Sequence, residues 1–190
     1  MRPKCALLLA GLGVLAGCDQ QPRQDTHHKD AKAPAKPSLL SLDGLIRFSD
    51  PKECIFTEPM DRLFASLIRS NPDYTISPGQ PAIPRSFASA FGQPTSTTNS
   101  DHLLTVTMPV RGTWRGLRVV KISASAMPES DVMWNTIRFA APKEAVIKRL
   151  NEAGMPLPPS GQRRHADEGD PMEFAVQLFV HGPVTDLECS

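Results

Sequence analysis

The residues best equipped for acid–base or metal chemistry gather late in the chain, where His165 is followed by Asp167, Glu168 and Asp170. A histidine among carboxylates can move a proton or hold a cation. This group lacks the regular ligand spacing of a calcium loop and reads first as a solvated, charged loop. Elsewhere the chain has no Gly-x-Ser-x-Gly elbow, no His-Glu-x-x-His or Cys-x-x-Cys pattern, and no glycine-rich phosphate loop after a strand. A hydrolase built on His165 and a nearby acid is therefore a weak alternative. The expectation is a protein that is not an enzyme, with no catalytic residues, no metal site and no cofactor.

Binding chemistry is better represented. Trp114 stands among Arg111, Arg115 and Arg118, with Lys121 farther along, a local basic–aromatic strip. Arginine and aromatic side chains are common anchors in interfaces. Two placements compete for Trp114: a core position beside a turn, which is favoured, or a share in the binding strip. Two long loops offer further contact residues. One runs from Asn71 to Asp101 with five prolines, Tyr74, Phe87 and Phe91; the other runs from Met155 to Pro171 and carries Arg163, Arg164 and His165. Loops of that length in a compact domain are often functional, and a sequence-tolerant surface is the equal alternative. The residues expected to meet a partner are Arg111, Arg115, Arg118, Tyr74, Phe87, Arg163, Arg164 and His165.

These residues need elements to hold them. Ile46-Arg47-Phe48-x-x-Pro51-Lys52-Glu53 recurs as Ile137-Arg138-Phe139-x-x-Pro142-Lys143-Glu144 at an offset of 91. A looser match, Val106, Met108, Val110, Gly112 and Leu117 against Val176, Leu178, Val180, Gly182 and Leu187, lies at an offset of 70. This reads as two copies of a strand–helix–hairpin unit, over 39–123 and 130–190. Asp50-Pro51-Lys52-Glu53 has a capping-box pattern. A first helix is expected around Glu58–Arg69, with Met60, Leu63, Phe64, Leu67 and Ile68 as its buried stripe. A second follows Pro142 with Val146, Ile147 and Leu150, stopped by Gly154 and Pro156. Leu104, Val106, Met108 and Val110 alternate before a turn at Arg111-Gly112, and Phe174, Val176, Leu178 and Val180 before one at His181-Gly182-Pro183. Such alternation predicts antiparallel pairing. The expected fold is α+β, an antiparallel sheet with two helices on one face.

The first residues read differently. Arg2 and Lys4 precede a short apolar run, Ala6 to Leu15, then Ala16, Gly17 and Cys18. That is the layout of a secretory signal peptide, with an apolar core too short for a membrane span of ~20 residues. With cysteine directly after the small pair, Leu15-Ala16-Gly17-Cys18 resembles the lipobox of bacterial lipoproteins. The resemblance implies cleavage before Cys18, lipid on its thiol, and a domain held at the membrane by an anchor. Residues 1–17 would be the signal peptide, 18–38 the lipidated cysteine and a flexible tether rich in proline and alternating charge, and 39–190 a single domain. His27 and His28 fall in that tether and read as solvated. Asp19 resembles a signal for retention at the inner membrane in some enterobacterial lipoproteins; the choice between inner and outer membrane stays open.

With Cys5 discarded and Cys18 lipidated, Cys54 and Cys189 are left to form a disulfide in an oxidising compartment. Removing residues 1–17 takes Arg2 and Lys4 from the 21 Lys+Arg, leaving 19 against 20 Asp+Glu. That balance argues against nucleic acid as a partner. The reading that gathers these features is a periplasmic lipoprotein serving as a protein-binding module, most simply an inhibitor or immunity protein that neutralises an antibacterial toxin or a cell-wall-degrading enzyme. A structural or assembly lipoprotein of an envelope complex is the alternative.

Overall fold

The computed structural model describes residues 38–128, 130, 132–164 and 174–190. The signal peptide, Cys18, nearly all of the tether, and His165 with Asp167, Glu168 and Asp170 lie outside the described residues. The fold is α+β, with a mainly antiparallel sheet.

The chain opens with β1 (Leu40–Ser41), then a ribbon of β2 (Phe48–Asp50) and β3 (Ile55–Phe56). The capping-box residues between them do not start a helix. Asp50 Oδ1 accepts the N–H groups of Lys52 (2.9 Å) and Glu53 (3.3 Å), but the turn ends at Cys54, whose φ is +54°. Helix α1 (Glu58–Ala65) follows with Pro59 in its first turn, where a missing N–H costs nothing. Met60, Leu63 and Phe64 are buried as the stripe requires. The helix stops four residues short of the expected Arg69. Ile68–Ser70 instead forms β4, paired with β5 (Ile76–Pro78), and Leu67 remains in the core from the connecting turn. A β-branched residue with a strand partner at hand outweighs a weak helical preference.

The stretch expected as one long loop after Asn71 is ordered in pieces. It holds β5, a 3-10 helix at Arg85–Ala90 and β6 (Thr95–Thr98). The main hairpin is β7 (Leu104–Trp114) and β8 (Leu117–Ala126). Its turn is Arg115-Gly116, both at positive φ, four residues beyond the expected Arg111-Gly112. Gly112 has another use. The parallel strand β1 packs against it so closely that a Cβ there would sit 2.7 Å from the Leu42 side chain.

Next come β9 (Met133–Phe139), α2 (Lys143–Glu152), β10 (Gln162–Arg164), and the hairpin of β11 (Phe174–His181) and β12 (Val184–Cys189), turned at Gly182-Pro183. Among the described residues the sheet runs β1-β7-β8-β9-β12-β11-β10, with β6 also pairing β7. All contacts in it are antiparallel except β1 with β7. The two copies of Ile-Arg-Phe sit unequally: Phe48 belongs to the small ribbon, while Ile137–Phe139 ends the central strand β9.

Alternation sets one apolar face of the sheet, although Ser123, Thr185 and Asp186 are buried as well. Val106, Met108, Ile122, Ala124, Ile137, Phe139, Leu178 and Leu187 point into one core, joined by Val146 and Leu150 of α2 and the buried residues of α1. An aromatic chain binds the small ribbon to the main sheet: Phe64 to Phe56 (5.2 Å), Phe56 to Phe48 (4.9 Å), Phe48 to Trp114 (6.3 Å) and Trp114 to Phe139 (5.7 Å between centroids). Cys54 and Cys189 form the disulfide expected of them, with Cα atoms 5.6 Å apart across 135 residues of chain. It fastens the end of β12 to the turn before β3.

Candidate functional site

Two surfaces carry chemistry, and they lie at opposite ends of the β7–β8 hairpin. The first is the hairpin tip. Trp114 is 1% exposed, and its indole N–H donates to the Ile46 carbonyl at 2.8 Å. It is a core residue that fixes the tip. Arg115, next in the chain, adopts φ +46°, a conformation that costs a non-glycine residue roughly 1–2 kcal/mol. Three contacts hold it there. Its N–H donates to Asp43 Oδ1 at 2.6 Å, its guanidinium lies 5.6 Å from the Trp114 ring centroid, and its Nη1 donates to the Glu152 carbonyl at 3.3 Å. Beside it opens a cleft of about 380 Å3 lined by Asp43, Arg47, Phe48, Trp114 and Arg115.

The other expected contact residues are not gathered here. Arg118 is exposed but pairs with Thr113, so it faces away from the core side on which Trp114 lies. Arg111 is exposed within a bulge between Pro109 and Gly112. Tyr74 is 76% exposed at the β4–β5 turn with φ +62°. Phe87 is half-buried in the 3-10 helix and packs against the core, which makes it a poor surface anchor. Arg163 is committed to structure: it donates to the carbonyls of Pro51, Lys52 and Pro156, and burial lowers the affinity of its guanidinium for its proton. Arg164, next in β10, is exposed on the edge strand.

The second surface is the sheet face turned away from the core. The register places Lys121, Arg138 and Asp186 in one cross-strand row, with Ser123, Thr136 and Glu188 in the next. Arg138 grips Asp186 with two hydrogen bonds, Nε to Oδ1 and Nη2 to Oδ2, each 2.6 Å. This bidentate pairing raises the proton affinity of Arg138. The His181 Nε2 lies 3.5 Å from the same carboxylate. Lys121 is half-buried, and burial, then the neighbouring Arg138, push its pKa down. Glu188 is also half-buried; burial, then the charge of Asp186, push its pKa up. Beside Glu188 a groove of about 320 Å3 is lined by Asn99, Asp101, Leu103, Ser125, Met127 and Trp134.

The sequence passes over this face for a physical reason. Arg138, Asp186 and Glu188 alternate with buried residues, so their shared face was legible; that β9 lies between β8 and β12 was not. A Ser-x-x-Lys motif was expected to be absent, but Ser49-x-x-Lys52 has that spacing, the one of a serine nucleophile and its base. The Ser49 hydroxyl donates to the carbonyls of Phe56 (3.1 Å) and Ile55 (3.3 Å), which commits it to the ribbon. Among the described residues no group of three or more His, Cys, Asp or Glu could hold a metal ion, and no helix is long and apolar enough to cross a membrane. No family model matches the chain, nor does any curated protein or solved structure.

Proposed function

We propose that this chain is a lipid-anchored protein of the bacterial periplasm whose domain binds a protein partner, as an inhibitor or immunity protein that neutralises an antibacterial toxin or a cell-wall-degrading enzyme. The observation that carries the binding half is the hairpin tip. A residue held at positive φ by three separate contacts is a side chain set in place before any partner arrives, which reduces the ordering cost of association. Arg115, with Arg47 across the cleft, suits an acidic group on the partner, such as a catalytic carboxylate. The lipobox-like Leu15-Ala16-Gly17-Cys18 supports the anchor, and Asp19 leans toward the inner membrane.

In this reading both helices pack on one face of the sheet. The recurring Ile-Arg-Phe and hairpin patterns record a duplicated unit whose first strand has moved into the small ribbon. The domain acts by occupying its partner and not by turnover.

Two measurements test the proposal. Replacing Cys18 by Ser should release the protein from the membrane fraction; a variant that stays there refutes the anchor. The product of a secreted-effector gene next to this one should form a tight one-to-one complex with the domain, weakened at least tenfold by R115E or R47E. Co-purification with a multi-subunit envelope machine, with no binding to the effector, would favour the assembly role instead.

A further inference from the structure

At the end of the β7–β8 hairpin farthest from the tip, the sheet carries a half-buried carboxylate with no counter-charge among the described residues. Glu188 makes no hydrogen bond or ion pair with the described residues. The cation diagonally across from it, Arg138, is already held by Asp186 through both oxygens. Glu188 lines the groove of about 320 Å3 together with Trp134 and Met127, and Asp101 lies in the same lining. Trp134 shares the face of Glu188: it stands two residues before Thr136, the cross-strand partner of Glu188, and so lies within diagonal reach.

An aromatic face and a thioether beside an unmatched carboxylate form a site with a defined complement. The complement has an apolar stem, to lie along the ring and the Met127 side chain, and a positive head. We infer that this groove is a second binding site, which takes a lysine or arginine side chain presented by a polypeptide. The stem covers Trp134, where a cation gains from the ring's negative face. The head meets Glu188 in a charge-assisted hydrogen bond, with Asp101 adding to the negative field. The Asp101 loop is already shaped for this, since Asn99 Oδ1 accepts the N–H groups of Asp101 (3.0 Å) and Leu103 (2.9 Å). This site goes beyond the hairpin tip, has the opposite charge preference and does not depend on it.

The test is a titration of the purified full chain with N-acetyl-arginine-N-methylamide, followed by backbone amide NMR shifts. N-acetyl-citrulline-N-methylamide serves as the uncharged control of the same shape. The arginine probe should give saturable shifts centred on Trp134, Glu188 and Ser125, and the citrulline probe none. E188Q, which keeps the shape of the side chain, should weaken the arginine probe about tenfold, and R115E should leave its titration unchanged. Equal shifts with citrulline, an absence of saturable shifts, undiminished binding to E188Q, or loss of the shifts in R115E would each overturn the inference. Failure here with the tip complex intact would leave the proposed function standing. Loss of the tip complex with this titration intact would do the reverse.

Discussion

The hairpin tip and the groove lie at opposite ends of the β7–β8 hairpin, and they hold charge in different ways. At the tip, a basic residue is fixed in a strained backbone and its side chain stays exposed; the structure spends local energy on position. At the groove, Glu188 stands in a regular strand and loses part of its hydration instead; the energy goes into environment. A strained backbone needs supports on neighbouring segments, here Asp43 and Glu152. A desolvated carboxylate needs only the strands beside it. The tip should therefore respond to changes in its supports, and the groove to changes in strand register.

The largest test of that contrast is the disulfide. It ties the end of β12, one residue after Glu188, to the small ribbon. Closing a loop of 135 residues corresponds to about 4–5 kcal/mol on the chain-entropy view. C54S/C189S should lower stability by up to that amount in urea unfolding. Amide exchange should rise first along β12 and the groove, and last at the β7–β8 turn. Faster exchange at the turn would break the comparison.

Arg138→Ala comes next. It leaves the Asp186 carboxylate, only 9% exposed, without its partner, at a cost of about 3 kcal/mol. Removing both charges with R138A/D186A should cost less than R138A alone, read from denaturant midpoints. An equal or larger loss in the double variant would show that the pair does not act as a unit.

Arg115→Gly sharpens the other side. Glycine takes the turn conformation without strain, a gain of roughly 1 kcal/mol offset in part by the lost ring contact. The variant should be as stable as the parent or slightly more so, while weakening the proposed complex. A clear loss of stability would mean that the side chain, and not the backbone, holds the tip.

The smallest effect belongs to Glu188→Gln. Glu188 has a raised folded pKa, so the protonated form favours the fold: its contribution is present at acid pH and lost as pH rises through that pKa. Because much of the residue meets solvent, E188Q should gain no more than about 0.5 kcal/mol. The gain should appear at neutral pH and vanish below the ordinary carboxylate range. Thermal melts across that window give the sign, and a gain at acid pH alone would contradict it.

How far the sequence reaches can be read from particular residues. The period-2 pattern of Leu104–Val110 and Val176–Val180 placed both hairpins, and the apolar spacing of Met60, Leu63 and Phe64 placed α1. Trp114 was expected in the core and lies there. The end of α1 was missed because Ile68 found a partner strand at Ile76–Pro78, a contact that local propensity does not contain. The turn was set too early because Gly112 looked like a turn glycine, when it serves a close approach of β1 from 70 residues away. Arg163 looked like a surface anchor, but its partners, Pro51 and Lys52, stand more than 100 residues earlier.

By itself, then, the sequence determined which residues alternate and which face of each strand is apolar. These are local properties, set by side-chain chemistry and the two-residue repeat of a strand. Only the tertiary structure decided that β9 lies between β8 and β12. That order brings Lys121, Arg138 and Asp186 into one row and leaves Glu188 near Trp134 with no counter-charge among the described residues. Alternation fixes the face on which a side chain stands, but its neighbour across the sheet is set by pairing between segments far apart in the chain.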